Sequence, residues 1–198
     1  MTRVDITSKM FGSIPVLGPI RFEIDVGETL ALVGPSGIGK STLLRILAGI
    51  DPEFDGSIER PENLAFVFQE PTLLPWRSVI QNILLPHPQL TSQQARDMLA
   101  RSGLEGKEDL FPKQLSLGQQ RRLSLARAFA QAPELLIMDE PFVSLDRDTA
   151  DRMLDLTEKL ISDHGPATVF VTHDMREADR LADRVLRLES TPEGACLA

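Results

Sequence analysis

Apolar positions along this 198-residue chain follow two rhythms that take turns. Residues 4–6 and 20–26 alternate apolar and polar side chains, the period of a half-buried strand. Residues 135–138 are a continuous apolar run, the form a strand takes when both of its faces are covered, while residues 29–33 read as a short apolar strand and 168–172 as another buried strand. Between them the spacing becomes helical. Residues 42–48 form an apolar helix closed by Gly49. A helix follows Thr91, with Ala95, Met98 and Leu99 as its stripe, Gln94 spaced from Thr91 as in a capping box, and Gly103 as its stop. Residues 116–131 place Leu123, Ala126, Phe129 and Ala130 on one face, and residues 148–162 and 175–182 read as two further helices. Residues 57–59, 64–68 and 185–188 complete the strands. Residues 70–89 carry Pro71, Pro75, Pro86, Pro88 and the single Trp76, and read as a connecting segment. Strands alternating with helices predict a parallel sheet. Residues 70–130 then form a helical insert between parts of that sheet, and ligands of such sheets collect at the carboxyl ends of the strands.

Composition narrows the class. A hydrophobic content of 42% and a charged content of 25% belong to a globular domain, and the length suffices for one unit or one with a small second lobe. The net charge of −8 argues against a general nucleic-acid binder, while leaving room for a local phosphate site. Cys196 is the only cysteine and is expected in a loose tail, so no intrachain disulfide forms and a reducing compartment fits. No apolar run approaches the ~20 residues that span a bilayer, and the first residues carry no apolar signal segment. The expected place is the cytoplasm, or a membrane reached through a partner.

The chemistry begins at Gly34-Pro35-Ser36-Gly37-Ile38-Gly39-Lys40-Ser41, which fits G-x-x-x-x-G-K-[ST] between a strand and a helix. A glycine-rich turn there aims successive backbone N–H groups into one concavity, and the helix adds its positive end. Lys40 supplies a cation for the outer phosphates, and Ser41 a hydroxyl for Mg²⁺. The chain is therefore expected to bind a nucleoside triphosphate. Asp139 and Glu140 follow a buried strand; the first suits Mg²⁺ and the second an attacking water, the alternative being a solvated turn before Pro141. His173 ends another strand at the same rim, where an imidazole meets a terminal phosphate. His87 and His164 read as surface residues. Gln69 follows a strand and offers an uncharged amide to metal and water. Ser116 opens a helix with Leu117, Gly118 and Gln119; this second anion-binding turn points to a neighbouring copy's nucleotide, with plain helix capping as its alternative.

In this order the motifs resemble the ATP-binding cassette (ABC) family, and within it the ATPase subunit of an importer. The resemblance spans nearly the whole chain. It implies an α/β fold of the P-loop NTPase (RecA-like) type: a mostly parallel sheet, an antiparallel β subdomain and an inserted α-helical lobe. Residues 1–198 would form one such domain, with 1–70 and 131–198 as the nucleotide-binding core and 71–130 as the helical subdomain. Gly34, Pro35, Ser36, Gly37, Ile38, Gly39, Lys40, Ser41 and Thr42 are similar to the Walker A loop, and residues 135–139 to Walker B. The resemblance makes Glu140, His173 and Gln69 catalytic. It makes Ser41, Gln69 and Asp139 the Mg²⁺ ligands, Ser116, Gly118 and Gln119 the contacts to ATP across a dimer, and Asp146, in a stretch similar to the D-loop, a further nucleotide-binding residue. Phe11 stands where the family stacks an aromatic ring on adenine, a core role being the alternative. Residues 68–79 resemble the nitrate/sulfonate/taurine importers, with Trp76 read either as a permease contact or as packing inside the small lobe.

The implied partners are a second ATPase subunit, most simply another copy, an integral membrane permease and, indirectly, an extracytoplasmic solute-binding protein, with no nucleic acid. The implied place is peripheral, on the cytoplasmic face of the cell membrane. The family signature usually reads Leu-Ser-Gly-Gly-Gln, whereas Leu117 replaces its first glycine here. Leucine is costly there only if the backbone needs positive φ. Leu117 is also the one feature favouring a low-turnover regulatory subunit. A cassette ATPase acting on DNA or ribosomes would bring a long coiled coil or a tandem cassette, and this chain has neither.

Overall fold

A computed structural model describes residues 1–198, and the chain divides into two compact units. The first comprises Met1–Phe66, Glu134–Glu140 and Gly165–Ala198. Its strands are β1 (Thr2–Phe11), β2 (Ile14–Leu17), β3 (Ile20–Ile24), β4 (Thr29–Val33), β5 (Asp55–Glu59), β6 (Leu64–Val67, which enters the second unit at its last residue), β7 (Leu135–Asp139), β8 (Ala167–Val171), β9 (Arg184–Thr191) and β10 (Gly194–Leu197). They form one sheet in the order β3-β1-β2-β10-β9-β4-β8-β7-β6, with β5 on β1. Its centre is parallel: β4 lies between β8 and β9, and β7 lies beside β8. Every residue of β4, β7 and β8 is buried, which explains their largely apolar composition. β1 pairs antiparallel with β2, β3 and β5, and its first half and β3 alternate buried with exposed positions.

Helix α1 (Lys40–Leu47) leaves β4 and buries Leu43, Leu44, Ile46 and Leu47 in the sheet's core beside Leu30, Leu32, Ile137 and Val169. Side chains of this kind contribute about 1.5–3 kcal/mol each when fully buried. The short helix α6 (Met175–Leu181) follows β8 and is capped by Asp174, which accepts from the Arg176 N–H at 2.9 Å. Two strands escape the periodicity. β2 is only four residues long, and β10 holds Cys196 in a ladder against β9 instead of in a loose tail. Segments that short do not establish a period.

The second unit comprises Val67–Pro133 and Pro141–His164. It holds α2 (Val79–Leu84), α3 (Ser92–Arg101), α4 (Leu117–Phe129) and α5 (Arg147–His164). α2 falls inside the segment expected to be a connection, and six residues are too few to show a 3.6 rhythm. Reciprocal capping boxes start three of these helices: Ser78 with Gln81, Thr91 with Gln94, and Ser116 with Gln119. Val79, Ile83, Leu99, Leu123, Leu125 and Phe129 are almost fully buried. Asn82 of α2 accepts from the Leu74 N–H at 2.7 Å and donates to the carbonyls of Leu74, Arg77 and Ser78, so one side chain pins the preceding loop. The two histidines expected at the surface are half-buried. His87 Nε2 lies 2.8 Å from the Arg127 carbonyl, and His164 packs its ring 5.4 Å from that of Phe129. No helix of the chain is long and apolar enough to cross a membrane.

Candidate active site

The first unit gathers five of the expected groups at the carboxyl ends of its parallel strands. The loop after β4 turns through Gly34, Gly37 and Gly39, all at positive φ. At Gly39, φ is 112° and a Cβ would lie 2.8 Å from Leu17 Cδ2, so no side chain fits. This residue caps α1 with no side-chain bond of its own. The helix therefore opens with bare N–H groups and no acid in its first turn, which is the composition of an anion site. Lys40 is 5% exposed, and its Nζ donates to the Gly34 and Pro35 carbonyls, both at 2.9 Å, so the ammonium is held over its own loop.

Ser41 Oγ donates to Asp139 Oδ1 at 3.0 Å and joins α1 to the end of β7. Burial pushes the Asp139 carboxyl above its usual range, and the Ser41 hydrogen bond partly offsets this. Glu140 follows with φ of 45°, a left-handed backbone that costs a residue other than glycine on the order of 1–3 kcal/mol. The Glu140 N–H donates to the Val171 carbonyl at 3.1 Å, which fixes that turn between β7 and β8. Glu140 Oε2 lies 3.9 Å from His173 Nδ1; the carboxylate is largely buried and the imidazole mostly exposed. Behind His173, Thr172 donates its hydroxyl to Glu177 of α6, whose carboxyl is raised by burial. Thr172 and Glu177 anchor the histidine loop, and nothing in the sequence pattern marked either.

Phe11, at the end of β1, is 53% exposed, so it is not a core residue. An ammonium stands over its ring: Lys9 Nζ is 4.6 Å from the ring centroid.

In the second unit, Ser116 Oγ accepts from the Gln119 N–H at 3.3 Å while Gln119 Oε1 accepts from the Ser116 N–H at 3.0 Å. Capping is thus realised, and the serine keeps its own O–H to donate. Leu117 begins α4 and is absent from the positive-φ residues, so leucine carries no backbone strain there. Gly118 is the sterically restricted position, since a Cβ would sit 2.7 Å from Thr149 Cγ2. The Thr149 N–H in turn donates to Asp146 Oδ1 at 3.0 Å, so the turn at Ser116 and the turn at Asp146 are built as one patch. Arg121, buried on α4, donates to the Pro141 carbonyl at 2.7 Å. Gln69 also belongs to this unit; it is exposed and lies two residues beyond β6. Trp76 is 67% exposed, which removes the reading of interior packing.

A phosphate loop on a parallel sheet, with a buried aspartate and a following glutamate at the end of the strand two places along, defines a nucleotide-hydrolysing cassette. Residues 17–143 match the family model described as ABC transporter, and the chain belongs to that family. It is 47% identical over 185 residues to the aliphatic sulfonates import ATP-binding protein SsuB 2 of Rhizobium johnstonii, which spans 92% of this chain and 74% of that one. The protein of the same name from Mesorhizobium japonicum is 43% identical over all of this chain and 81% of its own length. Among solved structures, the dimeric post-hydrolysis state of the ATP-binding cassette MJ0796 bound to ADP and Pi superposes with a TM-score of 0.82. That match has 28% identity and covers 96% of this chain and 94% of that one. The α/β fold of the P-loop NTPase type and the assignment as an ATPase stand on these matches together with the loop geometry.

Proposed function

We propose that this chain is the ATP-hydrolysing subunit of an importer, that it works as a pair of copies beneath a membrane permease, and that its solute is an aliphatic sulfonate or a chemically similar anion. The observation that carries the catalytic part is the grouping of Lys40, Ser41, Asp139, Glu140 and His173 in one unit. The names of the sulfonate-import relatives support the solute class.

The loop N–H groups from Gly34 to Thr42 and the Lys40 ammonium hold the triphosphate, and Phe11 stacks the base. Ser41 and Asp139 present a hydroxyl and a carboxylate, hard oxygen donors of the kind Mg²⁺ takes beside substrate phosphates, with Gln69 as the third candidate. When bound there, the ion neutralises charge developing on the transferred phosphoryl group. Glu140 orients the attacking water and draws on its proton. His173, beyond hydrogen-bond range of Glu140 at 3.9 Å, faces it as a group that meets the terminal phosphate instead. Ser116, Gly118, Gln119 and Asp146 complete the pocket of the opposite copy. The nucleotide then favours the closed pair, because bridging phosphates bind that state better than the open one, and hydrolysis releases it. Residues 71–130, with the exposed Trp76 in a loop pinned by Asn82, carry the motion to the permease. The solute-binding protein acts only through that permease, and the ATPase pair sits on the membrane's cytoplasmic face.

The low-turnover alternative loses its motive, since Leu117 sits in unstrained helical backbone. Glu140→Gln should lower turnover by about 100-fold or more while leaving ATP binding intact. Size-exclusion chromatography of this variant in Mg-ATP is expected to show a dimer. A strictly monomeric profile sinks the paired mechanism.

A further inference from the structure

Lys9 is the most deeply buried cation of the chain, at 1% exposure. Its Nζ donates to Asp51 Oδ1 at 2.7 Å and to the Glu53 carbonyl at 2.6 Å. It also stands 4.6 Å from the centroid of the Phe11 ring. An apolar side chain of similar volume usually stabilises a core as well as a buried ion pair does, so stability alone does not account for a lysine here. The Phe11 ring is the unusual neighbour. It carries the ammonium on one side and is still 53% exposed overall.

The counter-ion leads back to the phosphate site. Asp51 follows the end of α1, where the N–H groups of Ile50 and Asp51 donate to the Arg45 carbonyl at 2.9 and 3.2 Å. α1 itself begins at Lys40. A single ammonium thus ties an exposed ring at the end of β1 to the far end of the helix that leaves the phosphate loop. The Lys9 hydrogen bond holds the Asp51 carboxyl below its usual range.

We propose that Lys9 is a positioning residue for the nucleotide base: it fixes the Phe11 ring relative to α1 and, by drawing on one ring face, strengthens stacking of adenine on the other. This rests on the reading of Phe11 as the base-stacking residue. The physical ground is the ring quadrupole. A cation on one face withdraws electron density, and an electron-poorer face repels the π-cloud of a stacked purine less. The clamp also removes freedom the ring would otherwise lose on binding.

The test is calorimetric, on the full chain, with ATP and inorganic tripolyphosphate as ligands. Lys9→Met should weaken ATP about three- to tenfold and leave tripolyphosphate within about twofold. In a Phe11→Leu background the same substitution should change ATP affinity by less than about twofold. Lys9→Arg should recover much of the loss. Should Lys9→Met fail to fold, Lys9→Met with Asp51→Asn removes both charges and is measured in the same way. Phe11→Leu that leaves ATP affinity unchanged refutes the stacking reading itself. If Phe11→Leu does weaken ATP, the Lys9 proposal falls on any of three results: Lys9→Met without effect on ATP, equal loss of both ligands, or equal loss of ATP with and without Phe11.

Discussion

The phosphate rim of the first unit and the Ser116 turn of the second both lie at helix N-termini, but they are built differently. At the rim, Lys40 reaches back over its own loop, Ser41 bridges to Asp139, and Glu140 faces His173, all within one unit. The Ser116 turn satisfies its helix through its own cap, and its other contacts, Gly118 against Thr149 and Thr149 on Asp146, serve only to shape a small patch. The rim is a site already assembled for its ligand. The turn spends its acceptors on its own cap and leaves the Ser116 O–H to donate. That difference suits one half-pocket that binds and another that completes.

Substitutions at each region should break the comparison in different ways. Lys40→Ala removes the rim's cation and is expected to abolish ATP binding, weakening it by more than about 100-fold in calorimetry. Retained affinity would contradict the phosphate-loop assignment. Gly118→Ala forces a methyl into Thr149 Cγ2 and should cut turnover by about 10- to 100-fold, while ATP affinity of the monomer holds. Equal losses of both would mean that the turn serves its own chain's nucleotide.

Asp51→Asn tests the ion pair under the rim and should cost about 1–3 kcal/mol of unfolding free energy at neutral pH. The sign is set by the Asp51 carboxyl, whose pKa is lowered in the folded state from an ordinary 3.8. Its contribution is therefore fully present above about pH 4 and lost as pH falls through the lower folded value, so wild type and variant should converge in acid melts. Divergence that persists in acid would remove the ion pair as the cause. Leu117→Gly is the smallest change expected, less than about threefold in turnover, because position 117 already has helical dihedrals. A large gain would restore the low-turnover reading.

Several parts of this molecule were legible residue by residue. The continuous run at β7 announced a strand covered on both faces, the apolar stretches at β4 and β8 announced strands, and the glycine-lysine-serine turn between β4 and α1 announced a phosphate site. A capping spacing located the start of α3, and Ser116 the start of α4. β2, β10 and α2 went unread because four to six residues are too few to carry a period, and β6, equally short, showed only through its apolar composition. Thr172, Glu177 and Asn82 lacked any motif, since their roles consist of hydrogen bonds to partners that only folding supplies.

Lys9 shows where the division falls. In the first half of β1 the even positions Thr2, Val4 and Ile6 are buried, and strict alternation would leave position 9 in solvent. Irregular pairing with β5 between Ile6 and Ser8 shifts the phase and turns an odd position inward. The central strands, the phosphate loop and its acids follow from local pattern and residue chemistry, which the chain carries in its own order. The phase of β1, the charge under Phe11 and the meeting of Gly118 with Thr149 depend on strands and helices distant in sequence, and only their packing decided them.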